Sequence, residues 1–499
     1  MLADCMLISQ DQLSKTGASR TTFPTLIQSL PLELDRTADR ISKLESRREE
    51  LVREFSDIEL QLSGERAAYN TLINHRASVS KLPVELLSHI FLMCQAASAP
   101  SFCPSFALVA SHVSRHWRII SLSTPLLWND IRISKRTKYP LLRLEAYLSR
   151  SYDCFLDILI DTLLSDIEPL MTLISRHSKR WRRFSLVTVY DHCATIEKSL
   201  RYSSVPRLEH LSLLIGLSQE HNSPRSKYPR ECPIIFSEGA PSLQLIRLAG
   251  LAFGNLAPPT WAISTLDLDG FERYYMEPSQ FVSFLGTLPS LINLSLSQLH
   301  IHHPRDPSQV TKQIELPLLR SLRICGPCTS PHIPLSLMLL PKLKSLVLYE
   351  LEDFHSPVFP SVEELTVTTC SFDEVAATNI LLAFPSITEL TMDPFDPTIC
   401  RMITISVDMA DNRVPWPCLR TLTLGQLATG EVLCLSALVS TRSILHHAIQ
   451  RLRINKWTKS MLRKKDCFDW FNEQMSVVVC DQSETWPVGL GYDDPLGQV

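Results

Sequence analysis

The sequence predicts an α/β chain: an N-terminal amphipathic or coiled-coil helix, a small all-α module, then an irregular solenoid with a parallel strand stack. Three observations carry this. An apolar seam at heptad spacing occupies residues 32–76. Two apolar stripes at helical spacing follow between Leu82 and Ile120. A unit Pro-x-Leu-x-x-Leu-x-Leu then returns at residues 206–213, 241–248, 289–296, 317–324, 341–348, 360–367, 385–392 and 417–424, with a proline-free copy at 263–268.

Length and composition bound the rest. At 499 residues the chain exceeds one compact core, so several domains or a repeat array are expected. A net charge of −3 implies no global pull toward nucleic acid or an anionic membrane. The basic runs 135–138 and 463–465 read as solvated surface. The fourteen cysteines are mostly single, and neither a secretory leader nor a membrane-spanning apolar run is expected from the sequence. A reducing compartment, cytoplasmic or nuclear, is expected.

Residues 1–31 are polar and read as a disordered N-terminus. The helix over 32–76 places Ile41, Leu44, Leu51, Phe55, Ile58 and Leu62 on one seam, with Arg48 at the skipped position. With Arg48 in the seam and only about three heptads, it reads first as an amphipathic helix lying on its own protein, and otherwise as a coiled coil that dimerises or docks a partner. In the all-α module, residues 78–128, Pro83 suits a first helical turn. Leu82, Leu86, Ile90 and Cys94 recur every fourth residue, widened by Leu87 and Phe91. Beyond a Ser/Ala/Pro-rich break, a second helix carries Phe106, Val109, Val113, Trp117 and Ile120, and Pro125 stops it.

The strand region spans 129–460, with 461–499 as a C-terminal cap and tail. Its first strands, Ile131/Ile133, Leu156/Ile158/Ile160 and Phe184/Leu186, lack the proline unit, and with Leu211/Leu213 they lie about 27 residues apart. With the later units the period averages roughly 26 residues, inside the leucine-rich-repeat range. One such strand cannot bury its apolar face alone, but stacked neighbours can. Three residues beyond most units stands an apolar side chain (Leu251, Phe271, Leu299, Leu351, Cys370, Phe395, Leu427) where common leucine-rich repeats carry Asn or Cys. An asparagine ladder is therefore not expected. Residues between the leucines point to the concave face. Among them and their neighbours, Arg247, Asp267, Asn293, Arg323, Glu364 and Glu389 are the candidate target-binding residues.

The block Leu82-Pro83-Val84-Glu85-Leu86-Leu87-Ser88-His89-Ile90-Phe91, then Val113-Ser114-Arg115-His116-Trp117-Arg118, then Leu127-Trp128, resembles the F-box. The whole layout looks like the F-box proteins with leucine-rich repeats expanded in mushroom-forming fungi. The loop 95–105 is longer than in the compact family version, and Ser114 stands where Cys is commoner. The resemblance implies docking to the small adaptor of SCF-type cullin–RING ubiquitin ligases. By position, Leu82, Pro83, Leu86, Leu87, Ile90, Phe91, Leu108, Val109, Val113 and Trp117 would provide the apolar contact, and Glu85 would favour the first turn through the helix dipole. Taken individually, Trp117 and Trp128 read as core residues rather than interface ones. The physics points the same way: an apolar helical unit of under about 50 residues buries only part of its surface alone.

The expected function is thus a non-catalytic substrate-recognition subunit, binding the adaptor through one module and a protein target through the other. The alternative is an interaction scaffold outside any ligase. No cofactor, metal, nucleic acid or membrane is expected as a partner. Residues 325–328, Cys-Gly-Pro-Cys, look like a redox pair, but that chemistry needs a helix N-terminus and Pro331 and Pro334 follow. His300, His302 and His303 lack companion ligands at metal spacing and read as a solvated loop.

Overall fold

The computed structural model describes residues 23–97, 105–161, 167–216, 233–252, 256–270, 275–301, 313–326, 332–405 and 414–480. The chain divides into two units, residues 1–86 and 87–499.

The first unit is dominated by helix α1, Phe23–Arg76. The helix expected from residue 32 therefore begins nine residues earlier, inside the segment read as disordered; residues 1–22 lie outside the described ones. A short 3₁₀ turn, Ser78–Lys81, follows. The next helix, α2, Val84–Ala97, runs through the boundary.

The second unit is α/β. Its 14-stranded sheet follows chain order throughout. It starts at Asp130–Ser134 and Leu156–Asp161 and ends at Arg451–Ile454 and Ser476–Val479. Every pairing is parallel. The strand array was expected to stop near residue 460. It continues to Val479, because the apolar run after Met475 supplies one more strand on Arg451–Ile454.

The register explains the leucines. Each strand gives two inward positions two residues apart, as the pleat requires. One column runs through Leu294, Leu322, Leu346, Leu365, Leu390 and Leu422, paired in succession. A second runs through Leu296, Ile324, Leu348, Val367, Met392 and Leu424. All are 2% exposed or less. The proline-free copy falls in place as strand Thr265–Asp269, between Leu245–Gly250 and Asn293–Ser297. The early strands join the same columns through Ile131, Ile158, Phe184 and Leu211.

The proline unit is a turn as much as a strand. Amide N–H groups of Leu208, Leu243, Leu291, Leu319, Leu343, Val362 and Leu419 donate to the carbonyl three residues back, at 3.0–3.3 Å. That places proline at the second position of a β-turn, where its fixed φ is already correct. After each turn two successive amides share one carbonyl of the preceding strand, as Lys344 and Ser345 do with Arg320 O (2.8 and 3.0 Å). The turn therefore sets the register of the strand that follows.

Helices close part of the sheet's apolar side. Pro140–Arg150 contributes buried Leu144, Tyr147 and Leu148, and Val432–Ile444 contributes Leu435 and Leu438. Arg442, 1% exposed, donates to the carbonyls of Pro415 (3.0 Å), Trp416 (2.8 Å) and His447 (3.2 Å), tying that helix to the neighbouring turn. The expected apolar residues beyond the strands are buried at Leu251, Leu299, Leu351, Phe395 and Leu427; Phe271 lies outside the described residues. Cys370 takes the place an asparagine would hold: its Sγ accepts from Leu351 N (3.4 Å) and donates to Thr368 O (3.3 Å). No helix among the described residues is long and apolar enough to cross a membrane.

Candidate functional site

The helical module precedes the sheet. It consists of α2, then α3 (Phe106–Val113) and α4 (Arg115–Leu122), then the 3₁₀ turn Pro125–Trp128. One helix was expected to carry the whole second stripe. Instead the chain breaks at Ser114, whose backbone is extended (φ −153°, ψ 165°) and whose hydroxyl accepts from Trp117 N at 3.1 Å. A serine at this position ends one helix and caps the next, which apolar spacing alone does not reveal.

The break decides which apolar residues face inward. Phe91 is 1% exposed and packs against Phe106 (5.7 Å between centroids) and Trp117 (4.8 Å). Leu87 is also 1% exposed. These two were expected among the partner-facing residues; they lie one position on from Leu86 and Ile90, on the buried side of the helix. Trp117 is partly buried against Phe91 and acts mainly in the core. Trp128 is wholly core: its Nε1 donates to Ser121 O (2.7 Å) and its ring meets Tyr147 edge-on at 5.1 Å.

Other expected positions remain open. Leu86 is 52% exposed, Ile90 41%, Val109 49% and Val113 56%. Pro83 and Glu85 are exposed, while Leu82 and Leu108 are half-buried. Glu85 stands in the first turn of α2, where the helix dipole favours a carboxylate. Val84, Met93, Ile119 and Leu126 are exposed apolar residues that sequence reasoning passed over. Met93 could have been found, since it continues the spacing of Leu86 and Ile90; Ile119 could not, because its direction depends on the break at Ser114. Residues 98–104, most of the long loop, lie outside the described ones.

The second candidate surface is the sheet face opposite the leucine columns. The register brings Arg247, Asp267, Ser295 and Arg323 side by side on four adjacent strands. Arg247 Nε lies 3.4 Å from Asp267 Oδ2, and its NH2 group 3.9 Å from Asp269 Oδ2. Asn293 Nδ2 donates to Thr265 Oγ1 at 3.0 Å. Arg323 Nε donates to Cys325 Sγ at 3.0 Å. Glu389 pairs with Arg453 at 3.2 Å, two strands away. Glu364 is exposed. Much of this face is thus held by pairs between strands, so it offers a fixed pattern of partial charges.

The Cys-Gly-Pro-Cys segment falls at the end of strand Ser321–Cys325, and residues 327–331 lie outside the described ones. Burial pushes the Cys325 thiol up to about 11, opposite to the shift that redox attack requires. Burial likewise pushes the Cys370 thiol up to about 11. Of the histidine run, His300 is on a two-residue strand paired with Tyr275–Met276, and the other two lie outside the described residues. No protein-family model matches the chain, and no curated protein matches it either.

Proposed function

We propose that this chain is a non-catalytic substrate-recognition subunit of an SCF-type ubiquitin ligase, acting in the cytoplasm or nucleus. Residues 78–128 are read as an F-box that docks the adaptor. The parallel array is read as an irregular leucine-rich-repeat solenoid whose polar face holds a protein target. Bringing target and adaptor together on one chain raises the target's effective concentration near an activated ubiquitin donor.

One observation carries the reading. The helical module closes a core around Leu87, Phe91 and Trp117, yet leaves Leu86, Ile90, Val109 and Val113 between 41% and 56% exposed. Large apolar residues on so small a unit are the usual anchors of a protein interface. The motif blocks at 82–91, 113–118 and 127–128 say which interface it would be.

The test is capture of the adaptor by the full chain. Leu86→Asp and Val113→Asp each put a charge on an exposed position and should lower capture by about tenfold or more. Leu433→Asp, at a 78%-exposed position of the helix Val432–Ile444, should leave it unchanged. Equal capture by all three variants would remove the adaptor from the reading. Cullin recovered with the adaptor supports the ligase role; adaptor without cullin would favour a scaffold.

A further inference from the structure

Helix α1 presents an apolar seam that no described residue of its own unit covers. Every described side chain over residues 34–74 is exposed. A heptad frame with Leu34 at position a runs without a slip to Leu72 at position d, and nine of its twelve seam residues are apolar. Among them Leu44 is 70% exposed, Phe55 64%, Ile58 60% and Leu72 66%. The three polar seam positions are Thr37, Arg48 and Glu65.

Those charges discriminate between the ways two copies of such a helix can pair. In a parallel, in-register pair each seam residue meets itself, so Arg48 would face Arg48 and Glu65 would face Glu65. Glu54 and Glu59 would also oppose each other across the flank. In an antiparallel pair, a positions meet d positions. With the two-fold axis between Ser56 and Asp57, Phe55 meets Ile58, Leu51 meets Leu62, Leu44 meets Tyr69 and Ile41 meets Leu72. In that same register Arg48 meets Glu65, twice by symmetry, and the flanking residues Glu45 and Arg66 oppose each other with complementary charge. A shift of one heptad either way leaves Arg48 and Glu65 facing apolar residues, which desolvates both charges without a partner. One register therefore matches the seam from Ile41 to Leu72 at once, leaving only Leu34 and Thr37 at its end.

The ion pairs within α1 do not compete for these groups. They join Asp39 to Lys43, Arg47 to Glu50 and Glu49 to Arg53, on positions outside the seam, and Arg48 and Glu65 take no part in them.

We infer that α1 binds a second copy of this chain as an antiparallel two-stranded coiled coil, with Arg48 and Glu65 fixing its direction and register. The Arg76 ends then stand about 58 Å apart along the coil axis, at 1.5 Å per residue. The two chains leave the coil at opposite ends, so one dimer could hold two targets or two contacts on one target. The inference stands on α1 alone and does not depend on adaptor binding.

Sedimentation velocity of the full chain over a concentration series tests it. The wild type should run as a dimer. Arg48→Glu places two glutamates together, and Glu65→Arg places two arginines together; each should weaken dimerisation about tenfold or more. The combined variant R48E/E65R restores opposite charges and should return to near the wild-type constant. Circular dichroism should show unchanged helix content throughout, since both positions are exposed. A monomer at all concentrations, a dimer indifferent to the single swaps, or a combined variant no better than the singles would each overturn the inference. A parallel seam gives the second result, because each swap only exchanges one like-charge contact for another.

Discussion

The eight prolines of the recurrent unit are all exposed, while the residue before each one is buried: Val205, Ala240, Leu288, Leu316, Leu340, Phe359, Phe384 and Trp416. Proline therefore works through backbone φ, and its predecessor through packing. The sequence pattern began one residue too late, because the preceding positions vary from alanine to tryptophan and share burial without sharing shape. The two roles differ in size. Pro341→Ala frees one dihedral in the unfolded chain and should cost about 0.5–1 kcal/mol. Leu346→Ala empties a site in the leucine column and should cost about 2–5 kcal/mol. Hydrogen exchange of the amides in Ser345–Tyr349 reads both as local opening energies. Comparable losses in the two variants would mean that the proline packs after all.

Elements were legible where periodicity alone decides them. The parallel strands and their two inward columns follow from alternation at a recurring spacing, and the polar row Ser212, Arg247, Asp267, Ser295 follows from the same alternation. Element ends were harder, because a cap or an extra turn needs no apolar residue. The break between α3 and α4 depends on one hydroxyl, and Val113 and Trp117 keep helical spacing across it. Leu87 and Phe91, which the resemblance implies as adaptor contacts, are buried instead, because one stripe of α2 carries inward and outward apolar residues side by side and spacing does not separate them. The cap can be weighed directly. Ser114→Ala deprives Trp117 N of its acceptor and should destabilise α4 by about 1 kcal/mol, whereas Ser114→Asp should hold it. Exchange of the first-turn amides of α4 should quicken in the alanine variant only. Equal protection in all three proteins would show that the tertiary core, not the hydroxyl, defines the break.

At the scale of the whole sheet, each strand is paired only with the strands before and after it, from Asp130–Ser134 to Ser476–Val479. Stability in such an array is close to a sum of intrinsic and nearest-neighbour contributions, so damage should stay near where it is made. The last strand gives the clearest case, because it has one neighbour and its Val478 and Val479 are 40% and 36% exposed. Ser476 N and Cys480 N donate to the carbonyls of Gln450 and Ile454, so the residue between them on the same side of the strand is Val478. Val478→Pro removes a ladder donor and should release Ser476–Val479. The freed edge of Arg451–Ile454 should then exchange faster, together with the helices Lys456–Lys464 and Phe468–Gln474 that lie between the two strands in the chain. Protection should recover within two or three strands, leaving Glu364–Thr368 and everything before it as in the wild type. Loss spread evenly back to Leu156–Asp161 would instead require cooperativity over the full array. In that event a target bound as proposed would act on the polar face as one body, whereas nearest-neighbour coupling would let it order only the strands it touches.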